Sequence, residues 1–243
     1  MASVREVVKS FVPEYFLIMR HRLKQLAFDR RERQMTLQEV FSDIYGSNRW
    51  GGTKGEFYSG NGSDDESSAP YVANVLRFIA DHDVHSVVDI GCGDFRVGSK
   101  LVSSNLHYTG IDIVSPLIEQ NKSRYESKNV AFMCANAVED PLPSADLCLI
   151  RQVLQHLSNA QISAILAKTG VYKYVLVTEH HPAVATTGPN RDKLPGSGIR
   201  RLYGSGVYLE QPPYSLNTSV LFETPVIGFK GDTLRTYLIT RSH

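Results

Sequence analysis

No run of residues approaches the roughly 20 consecutive apolar side chains needed to cross a bilayer. The most apolar stretch, residues 11–19, is broken by Pro13 and Glu14. No small-residue cleavage site follows it, so a secretory leader is not expected and a cytoplasmic protein is. Cysteine is scarce: Cys92, Cys134 and Cys148 form no Cys-x-x-Cys pair, which excludes the usual zinc-finger spacing, and no metal site is expected. Each lies in or beside an apolar strand-like stretch and is expected to be a small buried hydrophobe in a reducing compartment. An excess of one charge is also missing. The 26 Lys and Arg balance 25 Asp and Glu to leave +1, so no overall field marks a nucleic-acid partner and none is expected. No internal repeat is present.

What is there begins with a helical pattern over residues 1–46. Val4, Val8, Phe11, Tyr15 and Ile18 recur at helical spacing, with Pro13 as a break or fresh start, among Arg5, Lys9, Arg20, Arg22 and Lys24. This basic amphipathic segment is expected to pack on the main domain, on a second copy in a homodimer, or peripherally on an anionic membrane surface. Thr36-Leu37-Gln38-Glu39 is a capping box, and it opens a short helix with Leu37, Val40, Phe41 and Ile44 inward.

Residues 46–70 change character. Glycine stands at 46, 51, 52, 55, 60 and 62, and residues 63–68 are small and acidic, which reads as a flexible connection and a domain boundary. Yet the stretch holds Trp50, the one tryptophan, with Phe57 and Tyr58. Two readings stay open: a mobile lid that orders on a ligand, or a packed loop.

From Pro70 the pattern is regular. A helix is expected over 71–80 with Val72, Val75, Leu76 and Ile79 inward, then strands at 86–90, 108–113, 130–134, 147–150 and 174–178. Helices are expected between them: one to about Ser104, one opened by Ser115-Pro116, and one capped by Ser158 with Gln161 three residues on. Strand–helix alternation with continuous apolar strands implies a parallel sheet covered on both faces. Residues 180–218 show no period. Strands at 220–223 and 234–240, joined by a turn with Gly228 and Gly231, suggest an antiparallel hairpin at one sheet edge.

The strand ending Asp89-Ile90 runs into Gly91-Cys92-Gly93-Asp94-Phe95. Glycines at such a turn let the backbone approach a ligand at the carboxyl edge of the sheet. Asp112 ends the next strand, where a carboxylate takes the ribose hydroxyls of a nucleoside. Asp94 stands where a dinucleotide site would leave a helix amino end free for pyrophosphate, and would repel it; a cationic sulfonium suits that turn better. In order and spacing, the series Asp89-x-Gly91-x-Gly93, Gly110-Ile111-Asp112, Ala135-Asn136-Ala137 and Asp146 through His156-Leu157 resembles the class I S-adenosylmethionine (SAM)-dependent methyltransferases. The likeness is good over roughly residues 70–180 and extends through the terminal hairpin.

That resemblance implies SAM as cofactor and a role for each matching residue. Gly91 and Gly93 would pass beside the methionine portion, with Asp89 near its amino group. Asp112 would bind the ribose, Ile113 would pack on adenine, Asn136 would read the adenine amino group, and Ala137 would supply an amide. Arg151 and Gln152 would stand beside the reacting methyl. Phe95 departs from the family, many members of which have a third glycine there. The segment Phe57-Tyr58-Ser59-Gly60-x-Gly62-Ser63, after Trp50-Gly51-Gly52, resembles the lid of bacterial methyltransferases of saccharide or secondary-metabolite pathways, which adds Tyr58 to the cofactor set.

Methyl transfer to a hydroxyl needs a positioned acceptor and a route for its proton. His156 follows strand four and is the first candidate base or acceptor-binding residue, with His180 and His181 after strand five. The long stretch 182–216, with Arg191, Lys193, Arg200, Arg201, Tyr203, Tyr208 and Tyr214, is expected to form the acceptor site. Gln211-Pro212-Pro213-Tyr214 is similar to the (Asp/Asn)-Pro-Pro-Tyr of amino-methyltransferases, but there it directly follows strand four; here a rigid extended corner is expected.

The expected fold is therefore a Rossmann-like, doubly wound, seven-stranded α/β sheet. Residues 1–69 would be a helical extension and glycine-rich lid, and 70–243 the SAM-binding domain. The expected activity is methyl transfer to a small polar acceptor, a hydroxyl of a saccharide or secondary metabolite. The rivals are methylation of protein or RNA, and a non-catalytic SAM-binding module.

Overall fold

A computed structural model describes residues 34–239. The basic segment through Val4, Val8, Phe11, Tyr15 and Ile18, with its expected membrane or homodimer contacts, lies outside the described residues. So do residues 240–243. No described helix is long and apolar enough to cross a membrane.

The first described helix, α1 (Leu37–Gly46), opens on the expected capping box: the Thr36 hydroxyl accepts from the Glu39 amide, and the Glu39 carboxylate accepts from the Thr36 amide. Val40 and Ile44 are buried, as is Tyr45. The next helix, α2 (Asp65–Asp81), begins six residues before the expected start at Tyr71 and carries Pro70 inside it. Its acidic first turn, Asp65 and Glu66, suits the positive end of the helix dipole. The small acidic stretch read as linker is thus a helix amino end. Tyr71, Val72, Val75 and Phe78 face inward, whereas Leu76, expected inward, is exposed.

Seven strands form one sheet in the order β3-β2-β1-β4-β5-β7-β6: β1 (Ser86–Ile90), β2 (His107–Asp112), β3 (Val130–Cys134), β4 (Leu147–Arg151), β5 (Tyr174–His181), β6 (Thr218–Pro225) and β7 (Thr233–Ile239). The first five run parallel; β7 inserts antiparallel between β5 and β6, so the terminal hairpin is as expected, with β6 at the edge. Asp146 fixes the start of β1, accepting from the amides of His85 and Ser86 and from the Ser86 hydroxyl.

Both faces are covered, as continuous apolar strands require. Val88, Ile90, Cys148, Ile150, Val175 and Val177 pack with Ile162, Ile165 and Leu166 of α4 (Asn159–Lys168). On the other face Val87, Leu147, Leu149 and Leu176 meet Tyr71, Val72, Val75 and Phe78 of α2. The remaining helix, α3 (Ser115–Tyr125), starts at Ser115-Pro116 as expected, and α4 has the Ser158–Gln161 capping box.

Three expectations are corrected. Among the described residues no α-helix joins β1 to β2, only a 3-10 turn at Gly98–Lys100. Phe95 takes φ +63°, incompatible with a helix, and its ring sits among Tyr108, Tyr125 and Phe132. A Cβ on Gly98 would lie 2.6 Å from that ring. Secondly, β5 runs three residues past Thr178, because Glu179, His180 and His181 pair with Arg235, Leu234 and Thr233 of β7. Thirdly, Cys92 and Cys148 are buried but Cys134 is exposed, at the tip of the edge strand β3.

Candidate functional site

The carboxyl ends of β1, β2 and β4 open into one cavity. Chain direction changes sharply at its floor. Gly91 takes φ +74°, and the amides of Gly91 and Cys92 both donate to the Ile111 carbonyl, at 2.8 and 3.0 Å. A side chain there would strike Val153, 2.4 Å away, so this position tolerates only glycine on both counts.

The structure places most of the residues singled out above around this cavity: Asp89, Gly91, Gly93, Asp94, Asp112, Ile113, Asn136, Ala137, Arg151, Gln152 and His156 all line it. Two carboxylates dominate. Asp89 accepts from the Tyr108 hydroxyl. Burial raises its pKa to about 6, against that hydrogen bond and nearby Arg151, which lower it. Asp112 accepts from the amides of Val114 (3.1 Å) and Gly93 (3.2 Å). Burial raises it also to about 6, against those amides. Acids held away from water with their proton affinity raised lack compensating positive charge.

Asp94 acts differently from the expectation. With no α-helix after the turn, it guards no helix amino end. Its carboxylate accepts from the Ser59 amide at 3.0 Å and the Arg96 amide at 3.2 Å, while its own amide donates to Ser59 Oγ at 2.9 Å. Asp94 therefore straps the glycine-rich loop 47–63 onto the cavity. Burial raises its carboxyl pKa, and the two amides oppose that.

The loop is packed down along its length. Tyr45 and Ser59 hydroxyls lie 2.9 Å apart, Arg151 Nη2 donates to the Gly62 carbonyl at 2.7 Å, and the Trp50 indole N–H donates to the Ser197 carbonyl at 3.2 Å. Glu56 meets Arg96 at 2.5 Å. Two glycines make the close approach: a Cβ on Gly93 would lie 2.3 Å from Ser59 Oγ, and one on Gly62 would lie 2.3 Å from Gln152 Oε1. Tyr58 does not line the cavity. Its hydroxyl lies 2.9 Å from Asn61 Oδ1 and 2.8 Å from Asp64 Oδ2, and its ring carries the Arg96 guanidinium.

Sequence reasoning missed the apolar wall as a wall. Leu37, Phe41 and Tyr45 of α1, with Trp50, Val138, Val153 and Ile165, line the cavity. The signal was present in part, since Leu37 and Phe41 fall on the inward stripe of α1; they face the cavity. Asn136 serves a local turn as well: its Oδ1 accepts from the Val138 amide at 3.0 Å.

Of the three histidines, only His156 reaches the cavity. It sits on a 3-10 turn (Leu154–His156), with its ring centroid 5.0 Å from that of Trp50. Nδ1 is 3.1 Å from the Gly196 carbonyl, which only accepts, so Nδ1 carries the hydrogen and Nε2 is an acceptor. Burial, then Lys193, lowers its pKa to about 3, so it is neutral at pH 7. His180 and His181 lie buried within β5 and line no part of the cavity. His180 Nε2 is 2.8 Å from Asp232, which also takes Arg201 Nε at 2.6 Å; His181 packs between Tyr208 and Tyr237.

The stretch 182–216 supports the site from behind, and none of its residues lines the cavity. Lys193 Nζ donates to the His156 carbonyl at 3.2 Å, and buried Arg200 donates to the carbonyl of Leu157 at 2.8 Å and to that of Arg191. Below the same turn, buried Glu179 accepts from the amides of Leu154 (2.7 Å) and Gln155 (3.2 Å). Burial raises Glu179 to about 8, opposed by those amides and Arg200. The Gln211–Tyr214 tetrapeptide forms a turn, and the Tyr214 hydroxyl donates to Asn159 Oδ1 at 2.8 Å, away from the cavity.

A cationic, hydroxyl-bearing nucleoside fits this set of acceptors. Two under-compensated acids suit a sulfonium, an ammonium and a ribose diol, whereas pyrophosphate would add negative charge beside them.

Comparison with known proteins agrees with this fold. Residues 87–170 match the family model for a methyltransferase domain. The fold is similar to that of the SAM-bound magnesium protoporphyrin IX methyltransferase (ChlM) of Synechocystis PCC 6803, at 14% identity and TM-score 0.53, covering 85% of this chain and 98% of that one. It is similar to the N-methyltransferase NodS of Bradyrhizobium japonicum WM9, at 13% identity and TM-score 0.53, covering 74% of this chain and 99% of that one. It also resembles the 1,6-didemethyltoxoflavin-N1-methyltransferase of Burkholderia thailandensis, at 16% identity and TM-score 0.53, covering 84% and 88%. No curated protein matches the chain.

Proposed function

Residues 87–170 carry a class I methyltransferase domain, whose methyl donor is SAM, and from that premise we propose that the chain O-methylates a small, largely apolar molecule through an acidic, phenol-like hydroxyl. When bound, the sulfonium supplies an activated methyl group for in-line transfer. The chain's own residues then have three tasks. Asp112 takes the ribose hydroxyls and Asp89 the amino group; Asn136 and Ile113 hold the base; and the strapped loop with Trp50 excludes water from the reacting centre.

The observation that carries the acceptor class is His156. An imidazole with pKa about 3 is too weak to ionise an aliphatic hydroxyl near neutral pH. Its free Nε2 does accept a hydrogen bond, which orients an acceptor whose hydroxyl is acidic already. Phe41, Trp50 and Val153 beside it favour a flat apolar face over a sugar. This favours the secondary-metabolite reading over the saccharide one.

N-methylation is the second reading, since a neutral amine needs no base before attack. It is favoured by the same weak histidine, and two of the similar structures are N-methyltransferases by name. The test is turnover of SAM by the full chain against parallel panels of phenols, heteroaromatic amines and sugars, with products identified by mass spectrometry. Methylated phenols are expected. Methylation confined to amines or sugars would overturn the hydroxyl assignment while leaving the cofactor reading intact.

A further inference from the structure

Three buried ionisable side chains, Glu179, Lys193 and Arg200, converge on the short turn Leu154–His156. The Glu179 carboxyl takes the amides of Leu154 and Gln155 at 2.7 and 3.2 Å. At the other end, Lys193 Nζ takes the carbonyl of His156 at 3.2 Å, and Arg200 Nη2 takes that of Leu157 at 2.8 Å. A helical turn leaves its first amides and last carbonyls without partners inside it, so an acceptor at one end and cations at the other match what they meet. Burying cations is costly, however, and neutral groups cap such turns without that cost. Of the three residues in the turn, only His156 lines the cavity.

Lys193 reaches beyond the turn. Its Nζ also takes the Leu194 carbonyl at 2.6 Å, so the ammonium joins its own segment to the His156 backbone. Gly196 and His156 then bond to each other twice: the Gly196 amide donates to the His156 carbonyl at 3.0 Å, and His156 Nδ1 donates to the Gly196 carbonyl at 3.1 Å. The next residue, Ser197, accepts the Trp50 indole N–H at 3.2 Å. Imidazole and indole, with centroids 5.0 Å apart, are thus held by the carbonyls of two adjacent residues. Neither Gly196 nor Ser197 lines the cavity; both rings do.

We propose that Lys193 is a positioning residue for the acceptor end of the cavity: by pinning segment 193–197 to the turn, it fixes His156 in the Nδ1–H tautomer and sets Trp50 against it. This rests on the acceptor role given to His156 above and deepens it. Which nitrogen of an imidazole carries the hydrogen is set by the bond the other one makes. Without the Gly196 carbonyl, Nε2 is free to carry it. With that carbonyl in place Nε2 is always an acceptor, and the site selects molecules that present an O–H or N–H donor beside an apolar face. Lys193 acts through the backbone of its segment and touches no substrate.

The test is the proton–nitrogen correlation spectrum of the imidazoles in the full chain at pH 7, with His156 assigned by its absence from His156→Gln. It is read together with acrylamide quenching of Trp50, the chain's one tryptophan. Wild type is expected to show His156 wholly as the Nδ1–H tautomer. Lys193→Met keeps the packed stem but not the ammonium. Loss of a charge-assisted bond shifts a local equilibrium by about tenfold or more, so mixed tautomers and stronger quenching are expected. Lys193→Arg keeps a cation and is expected to keep both wild-type signals. An Nε2–H tautomer in wild type would overturn the proposal, as would wild-type signals in Lys193→Met or an Arg variant that behaves like the Met one. Displaced backbone amide signals from the five parallel strands in Lys193→Met would overturn it too, since that is the mark of a general structural role. Neither readout needs a methyl donor or an acceptor, so failure of the SAM reading shows separately, as absence of SAM binding to wild type.

Discussion

Ser59 and Asp94 bond to each other twice: the Ser59 amide donates to the Asp94 carboxylate, and the Asp94 amide donates to Ser59 Oγ. The pair bridges a sequence separation of 35 and seats the glycine-rich segment on the Gly91–Gly93 turn. Ser59→Ala removes one of the two bonds, and Gly93→Ala inserts a methyl group 2.3 Å from Ser59 Oγ at a position with φ +55°. S59A, which also removes the contact between the Tyr45 and Ser59 hydroxyls, is expected to weaken S-adenosylhomocysteine binding by about tenfold or more. G93A is expected to weaken it further. Limited trypsin cleavage at Arg49 and Lys54 reads loop closure directly; unchanged cleavage in both variants would show that the pair does not hold the loop.

Cofactor affinity is expected to depend on pH through Asp89 and Asp112. In the proposed assignment both accept, as carboxylates, from the cofactor's ammonium and ribose, and both are raised to about 6. Affinity is therefore full above pH 7 and falls as pH drops through 6, by up to about tenfold per group at pH 5. Asp112→Asn is expected to bind weakly at pH 8 and to show a shallower decline. Titrations from pH 5 to 8 measure both.

His156 titrates near 3, so kcat is expected to carry no histidine limb between pH 5 and 8. His156→Gln keeps a hydrogen-bond acceptor and is expected to lower kcat by no more than about tenfold. The check is the pH profile of kcat for both proteins. A wild-type limb near pH 6.5 that vanishes in H156Q would instead make His156 a general base.

Glu179 supports the turn that presents His156, and its folded pKa of about 8 lies above the ordinary carboxyl value. The folded state thus holds a proton that the unfolded chain has already released, so stability falls as pH rises from about 4.5 to 8. Between about pH 7.5 and 8.5 the lowered histidines 156, 180 and 181 are almost wholly neutral in both states, since an unfolded imidazole titrates near 6.5, and they contribute little slope. Over that window the thermal midpoint of wild type is expected to fall, and Glu179→Gln is expected to lack this fall. Parallel slopes in the two proteins would remove Glu179 as the cause.

What could be read from the sequence was what is local. Continuous apolar strands, the Thr36 and Ser158 capping boxes and the Gly91 turn are each set by neighbours within a few residues, and the structure has them. Phe95 was visible as a departure, but only the structure has it at positive φ, where it ends any helix after the turn. Long-range pairings were not legible. Ser59 and Asp94 are ordinary residues until the loop folds back, and His180 and His181 became strand residues because β7 pairs there. The cations of 182–216 misled for a related reason. A lysine or arginine in an aperiodic stretch looks the same whether it faces a ligand or, like Lys193 and Arg200, the carbonyls of the chain's own turn.

The central claim is that this acidic, glycine-floored cavity holds a sulfonium nucleoside. Isothermal titration of the full chain with SAM and, separately, with NAD+ tests it most directly. Saturable binding of SAM with no measurable binding of NAD+ is the predicted result. Binding of NAD+ in preference to SAM, or of neither, would contradict the account.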